Sequence, residues 1–268
     1  MVELREARRI AAHTGLGLQY VLKEARVFDI WTRLSPLYSY SGINHQVVVI
    51  CKGGTVLNKV FFSGVQRFSE DLDHDAFFMT LTERSAKIRY LDRVIRPLLT
   101  TYSLDKPRMM REVLRFTCSF TNELGRPDSI FIEFNLEPRG PRGRKIVEAE
   151  SELLQVQPVK IQTYTFQLLI AKKLKTLYER ESGKDLYDLY RSLPLIKDWS
   201  AVKRNLKEVL RAEGIDYSEF RERIYQKLHN EENIKRLHPS TNPYIPRNLR
   251  PDWIKAAKEI NGALKHNL

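Results

Sequence analysis

Residues 52–75 read KGGTVLNKVFFSGVQRFSEDLDHD. An apolar run, QVVVIC (46–51), leads into Gly53-Gly54-Thr55, and Asp71, Asp73 and Asp75 alternate with Leu72 and His74. The apolar run predicts a strand buried on both faces. Thr55 to Phe62 predicts a helix that starts directly after the glycines. Residues 71–79 read as a strand, which sets the three aspartates on one face. Like charges there repel unless a cation lies among them. Magnesium meets that demand, because it takes oxygen ligands from one or two carboxylates and from substrate phosphates. Glycines let the backbone approach a phosphate, and the start of the following helix offers free N–H groups. Thr55 adds a hydroxyl. A phosphate held there, beside a metal on Asp71 and Asp73, outlines a phosphoryl- or nucleotidyl-transfer site. A Gly-Gly turn or a DxD strand alone is a common structural feature; the ordered combination is the specific signal. Neither a GxxxxGK[ST] P-loop nor a Rossmann fingerprint is present.

Outward from this stretch, the first half reads as mixed α/β. Residues 3–13 predict a helix with Leu4, Ala7, Ile10 and Ala11 on one face, broken by Gly15. A second helix spans about 18–34, before Pro36. Residues 82–102 predict a long amphipathic helix with Ile88, Leu91, Val94, Ile95 and Leu98 as its stripe. Strands follow at about 112–120 (EVLRFTCSF) and 128–136 (DSIFIEFNL). Glu133 lies in the second of these, among apolar residues, where an unpartnered carboxylate is costly. Two readings suit it: an edge strand with Glu133 and Asn135 facing water, or a metal shared with Asp71 and Asp73. EPRGPRGRK (137–145) reads as an exposed turn or linker.

From about 160 the pattern is helical, with helices expected at 162–181, 185–193, 199–213, 217–228 and 252–264. In the first of these Phe166, Leu169, Ile170, Leu174 and Leu177 form a stripe that includes Lys173 but not Lys172 or Lys175. A lysine on an inner face pairs with an acid or a phosphate, or snorkels. Gly183 reads as the stop of that helix. Asp185 reads as a cap of the next, and Asp188 as a partner that positions Lys173. The expected division is 1–150 for the mixed half and 151–268 for the helical half.

Bulk properties bound the function. The chain has 268 residues, a formal net charge of +12 and a pI of about 9.6. Such a surplus suits a polyanionic partner, or simply a basic soluble protein. Two cysteines in apolar strands read as reduced core residues, and six scattered histidines form no HExxH or Cys/His cluster. No apolar run approaches membrane-spanning length and no signal-peptide h-region opens the chain, so a cytoplasmic protein with no membrane partner is expected. Helix, glycine turn and helix over RRIAAHTGLGLQYVLKEARV also have helix-turn-helix spacing, which makes a nucleic-acid-binding regulator the second reading. A catalytically inactive nucleotide sensor is the third.

TGLGLQYVLKEARVFDIW, KGGTVL, RFSEDLD, IEFN, AKKL and KDLYDLY, in that order within about residues 8 to 195, resemble the AbiEii/AbiGii toxin family of nucleotidyltransferases, relatives of the MenT toxins. The resemblance implies an α+β fold: a polymerase β-like mixed sheet core with flanking helices, plus a C-terminal helical domain. It implies magnesium and a nucleoside triphosphate substrate. It implies an RNA acceptor, the tRNA 3′ end being a target of some members, and a cognate antitoxin. Position by position, Gly53, Gly54 and Thr55 match the glycine motif and Asp71 and Asp73 the metal-binding carboxylates. Lys173 matches the lysine motif, and Asp185 and Asp188 match DxxDL. Lys52, Arg67 and Ser69 join Gly53, Gly54, Thr55 and Asp185 in the expected nucleotide-binding set. Asp71, Asp73, Glu133, Lys173 and Asp188 form the expected catalytic set. Lys172 stands where a glutamate is frequent, which suggests an RNA-facing basic surface, and His74 stands where an aliphatic residue is usual. Arg67, Arg139, Arg142, Arg144 and Lys145 are expected along a nucleic-acid backbone, with ordinary solvated loops as the alternative for 139–145.

Overall fold

A computed structural model describes residues 2–38 and 46–268. Two helices, α1 (Leu4–Thr14) and α2 (Leu18–Arg33), precede strand β1 (Val47–Lys52). The chain then turns at Gly53, whose φ of 81° lies in the left-handed region that suits glycine. Helix α3 (Gly53–Val56) runs on as a π-helical turn over Leu57–Phe61. Strand β2 (Asp71–Phe78) and helix α4 (Arg84–Ile95) follow. The helix expected over 82–102 tightens to a 3-10 turn over Arg96–Leu99, because Pro97 has no N–H to continue the α-helical pattern.

Next come β3 (Ser103–Leu104), β4 (Arg108–Met110), β5 (Val113–Thr121) and β6 (Pro127–Asn135), then β7 (Arg144–Ala149) and β8 (Val159–Tyr164). All join one sheet in the order β3-β5-β6-β2-β1-β8-β7, with β4 paired to β5. The sheet is mixed: β2 lies antiparallel to β1 and parallel to β6, and β8 lies parallel to β1. Its apolar face buries Leu72, Leu114, Phe116, Ile130, Ile132 and Phe134 in the main core, to which α2 adds Phe28, Ile30 and Trp31.

Strands β7 and β8 correct the sequence reading. Residues 144–145 are strand rather than linker, and 162–164 are strand rather than the start of a helix. Val159, Ile161 and Thr163 are β-branched and buried, a composition that packs on a pleated sheet. The sheet therefore closes only at Tyr164, and the division expected at residue 150 falls between its last two strands.

Beyond it the chain is helical: α5 (Phe166–Glu179), α6 (Gly183–Ser192), α7 (Trp199–Ala212), α8 (Tyr217–His229), α9 (Glu231–Thr241) and α10 (Trp253–Asn267). Helix α9 had no counterpart in the sequence reading. Gly183 is the first residue of α6 and not the stop of α5; a Cβ there would fall on the Thr241 side chain of α9. Of the sixteen residues of α2 only Gln19 and Thr32 are exposed. A recognition helix must present a free face to a groove, so the helix-turn-helix reading fails on packing.

Candidate active site

The ladder brings the acids together. Asp73 of β2 stands opposite Glu133 of parallel β6 and opposite Lys52 of antiparallel β1. Asp71, Asp73 and Glu133 thus share the polar face of the sheet. Strand β6 lies inside the sheet, so the edge-strand reading of Glu133 does not hold. Its Oε1 takes the Arg115 guanidinium of β5 at 2.5–2.6 Å. The imidazole of His74, on the opposite face, fixes the same strand. A carbonyl can only accept, so Nδ1–H donates to the Glu133 carbonyl (3.1 Å), and Nε2 accepts from the Tyr38 hydroxyl (3.0 Å). Burial pushes this histidine down to about 4, which keeps it neutral.

Burial first, and then the charges of Asp73, Glu70 and Glu133, push Asp71 up to about 6. Burial and Glu133 raise Asp73 as well, against the pull of Lys52, Lys173 and Arg180. A carboxylate pair held in mutual repulsion is a donor set short of one cation. Among the described residues no three His, Cys, Asp or Glu side chains converge on one point. The protein would then supply two carboxylate ligands, and substrate phosphates and water the rest, which is the ordinary way magnesium is bound. Asp71 and Asp73 fit that ion.

The cleft beside Asp73 has a volume of about 240 Å³. Lys52, Arg139, Lys172, Lys173, Lys175 and Arg180 line it with Gly53, Gly54 and Asn135, against only Asp73 and Glu213 as acids. Such an excess of positive charge in a concave site attracts phosphates. Both glycines are sterically required. A Cβ at Gly53 would fall on Asp73 Oδ2, and one at Gly54 on the Arg67 guanidinium and the Asp188 carboxylate.

Behind Gly54 the two halves of the chain lock together. Asp188 takes Arg67 through two bonds of 2.8 Å, Asn58 Nδ2 at 2.9 Å and Lys173 Nζ at 3.0 Å. Asp185 takes Lys173 at 2.8 Å and Arg180 Nε at 2.8 Å. These cations hold both carboxyls below the usual carboxylate range despite burial. The buried Lys173 ammonium is oriented from below by both aspartates.

The expected residues thus divide by place. Lys52, Gly53, Gly54, Asp73 and Lys173 line the cleft, and Asp71 and Glu133 share its sheet face. Asp185 and Asp188 lie behind it; Asp185 binds Lys173 and Arg180, while Ser182 takes the N-cap position of α6. Arg67 was expected on the nucleotide or along nucleic acid. It is buried, with Asp188 and the Phe68 carbonyl taking its donors. Thr55 is buried and donates its hydroxyl to the Asp71 carbonyl at 2.7 Å, bracing β2. The Ser69 hydroxyl is buried without a partner among the described residues. In the basic loop Arg139 reaches the cleft, whereas Arg142 and Lys145 lie over the rings of Phe77 and Phe61. Lys172, expected on an RNA-facing surface, lines the cleft, as do Lys175 and Arg180, which the sequence does not single out as site residues. Leu169, Lys172, Lys173 and Thr176 follow i, i+3, i+4, i+7 spacing, and that periodicity could have placed Lys172 on the cleft-facing side of α5.

The family of nucleotidyl transferase AbiEii toxins, of type IV toxin–antitoxin systems, matches residues 45–266. Among solved structures, MenT4, a nucleotidyltransferase toxin of Mycobacterium tuberculosis, superposes with a TM-score of 0.69 at 18% identity, over 97% of this chain and 89% of that one. At that identity the likeness carries the fold alone. A nucleotidyltransferase-like antigenic protein of Paracoccidioides brasiliensis gives a TM-score of 0.41 at 14% identity, over 74% of this chain and 91% of that one, too low to argue from. No protein of curated function matches in sequence. The family match spans the glycine turn, the acidic strand and both helical motifs: the chain belongs to the AbiEii nucleotidyltransferase toxin family and is a nucleotidyltransferase.

Proposed function

We propose that this toxin uses magnesium to move a nucleotide from a nucleoside triphosphate onto an RNA, with the tRNA 3′ end as the first acceptor to test, and that a cognate antitoxin restrains it. The observation that carries the reading is the pair Asp71 and Asp73 on one sheet face, Asp71 raised by burial and by Asp73, Asp73 raised by burial and by Glu133, with Asp73 at the wall of a cleft lined by six basic side chains. Magnesium on these carboxylates would neutralise charge on the α-phosphate and align the triphosphate. The bare backbone of Gly53 and Gly54 lets the triphosphate lie against the turn. Lys173, fixed by Asp185 and Asp188, offers its ammonium to the charge that develops as the bond to pyrophosphate breaks. The acceptor hydroxyl oxygen bonds to the α-phosphorus, pyrophosphate leaves, and the hydroxyl proton goes to a carboxylate. Glu133 suits that last role, because Arg115 occupies Oε1 and leaves Oε2 available.

The test is transfer of label from each α-labelled nucleoside triphosphate in turn, with magnesium and total tRNA, and with Asp73→Ala as control. Label entering RNA with wild type alone is the expected outcome. Label on protein instead of RNA refutes the acceptor, and full activity in Asp73→Ala refutes the metal assignment.

A further inference from the structure

Asp75 shares a strand face with Asp71 and Asp73, yet it is chemically unlike them. It is fully buried, and its carboxylate is wholly occupied. Oδ1 takes Lys52 Nζ at 2.5 Å; Oδ2 takes the Tyr164 hydroxyl at 2.6 Å and Lys172 Nζ at 3.3 Å. Three elements meet there: β1 through Lys52, β8 through Tyr164 and α5 through Lys172. With both oxygens engaged and two ammonium groups beside it, Asp75 is a poor metal ligand.

The two lysines do have something left. An ammonium carries three donors, and Asp75 is the one side-chain acceptor within hydrogen-bond reach of either among the described residues. Lys172 Nζ also lies 4.7 Å from the Tyr164 ring centroid, which holds it in place without using a donor. Both side chains line the cleft and keep part of their surface open, 27% for Lys52 and 21% for Lys172. Two ammonium groups on one carboxylate leave one positive charge in excess, aimed into a cavity bounded by Gly53, Gly54 and Asp73. Lys172 points into the cleft and keeps part of its surface open there.

We propose that Lys52 and Lys172, clamped by Asp75 and Tyr164, form a subsite for the terminal phosphates of the nucleoside triphosphate and for the pyrophosphate that leaves. This rests on the nucleotidyl-transfer reading above. Lys52 stands opposite Asp73 in the ladder and lines the same cleft as Asp73 and Lys172, so a phosphate chain held at Asp73 would extend along these two ammonium groups. Asp75 is a positioning residue, acting through the two lysines.

The experiment measures steady-state transfer and inhibition by inorganic pyrophosphate for wild type, Lys172→Met, Lys52→Met and Asp75→Asn, with thermal unfolding of each. Losing one charge-assisted contact to phosphate should raise KM for the triphosphate and weaken pyrophosphate inhibition by about tenfold. KM for the acceptor RNA should stay unchanged. Lys172→Arg, which keeps the charge, should restore most of the affinity. Lys172→Met reaches partly open surface, so it tests the subsite even if Asp75→Asn fails to fold. Unchanged KM and pyrophosphate inhibition in both lysine variants would overturn the subsite, and so would a shift confined to KM for RNA. A wild type that transfers no nucleotide at all but still binds pyrophosphate, with that binding lost in Lys172→Met, would remove the transfer reading and leave the subsite standing.

Discussion

Gly54→Ala separates two reasons for a glycine at this turn. Alanine is compatible with the backbone, since Gly54 is not among the glycines with positive φ. The added methyl would nonetheless fall on the Arg67 guanidinium and within 2.8 Å of Asp188 Oδ2. Neither group can swing away freely. Side-chain exposure is 5% for Arg67 and 0% for Asp188, and Arg67 is tied at 2.8 Å through Nε, Nη1 and Nη2. Forcing this pair apart leaves buried charge uncompensated, at a cost of about 3–5 kcal/mol. The gain from replacing a helical glycine offsets roughly 0.5–1 kcal/mol of that. A net loss of about 2–4 kcal/mol should lower Tm by roughly 5–15 °C in a chain of this size. The assay is thermal unfolding of Gly54→Ala, Asp188→Asn and the double variant. Because both changes act on one pair, the double variant should lose clearly less than the sum. A Gly54→Ala protein with wild-type Tm and only a raised KM for nucleotide would refute the steric argument. The glycine would then serve phosphate approach alone.

Two pH dependences follow from strand β2, one from each face of the sheet. Asp71 ionises near 6 in the folded protein against an ordinary 3.8, so metal-free folded protein keeps a proton that the unfolded chain has released. Stability of the metal-free protein should therefore fall as pH rises from about 4 to 6, by at most about 3 kcal/mol, then level off. Added magnesium should oppose the fall, and Asp71→Asn should remove both effects in urea titrations across that range. His74 has the opposite sign: its folded value of about 4 lies below the ordinary 6.5, so its contribution is intact above 6.5 and is lost as pH falls toward 4. The loss should reach about 3 kcal/mol, and His74→Phe should flatten that acid limb; an unchanged limb would show that His74 is not the group titrating.

How far the sequence discloses this site depends on the range over which each feature acts. The glycine turn, the acid alternation of β2 and the lysine within the α5 stripe are local patterns, and each lies where periodicity sets it. Glu133 was harder. Its strand reads as apolar, and only the pairing of β6 with β2 aligns it with Asp73. The partners of Arg67 were not legible at all. An arginine beside an acidic strand reads as a phosphate ligand, and nothing near it in sequence announces an aspartate 121 residues away. Strand β8 was lost for a different reason. IQTYTFQLL passes from strand to helix without a glycine or proline between, so the helical period of α5 absorbed the preceding residues.

The long-range pairings also bring together five motifs scattered from residue 52 to 190. Arg67, Lys173 and Arg180 share two aspartates, 185 and 188, and so carry one positive charge in excess. Lys52 and Lys172 share Asp75 and carry another. Between these clusters stand Asp71 and Asp73, while Glu133 is balanced by Arg115. The unbalanced charges are thus two carboxylates flanked by two cations. That pattern fits a divalent ion on the acids and an anionic phosphate chain running across the basic groups. Neutralising any one cluster by an apolar substitution of similar size should change which part of the triphosphate is held while leaving the sheet intact. Removing Asp188 alone should instead cost stability, because the Arg67 and Lys173 cations left behind are buried.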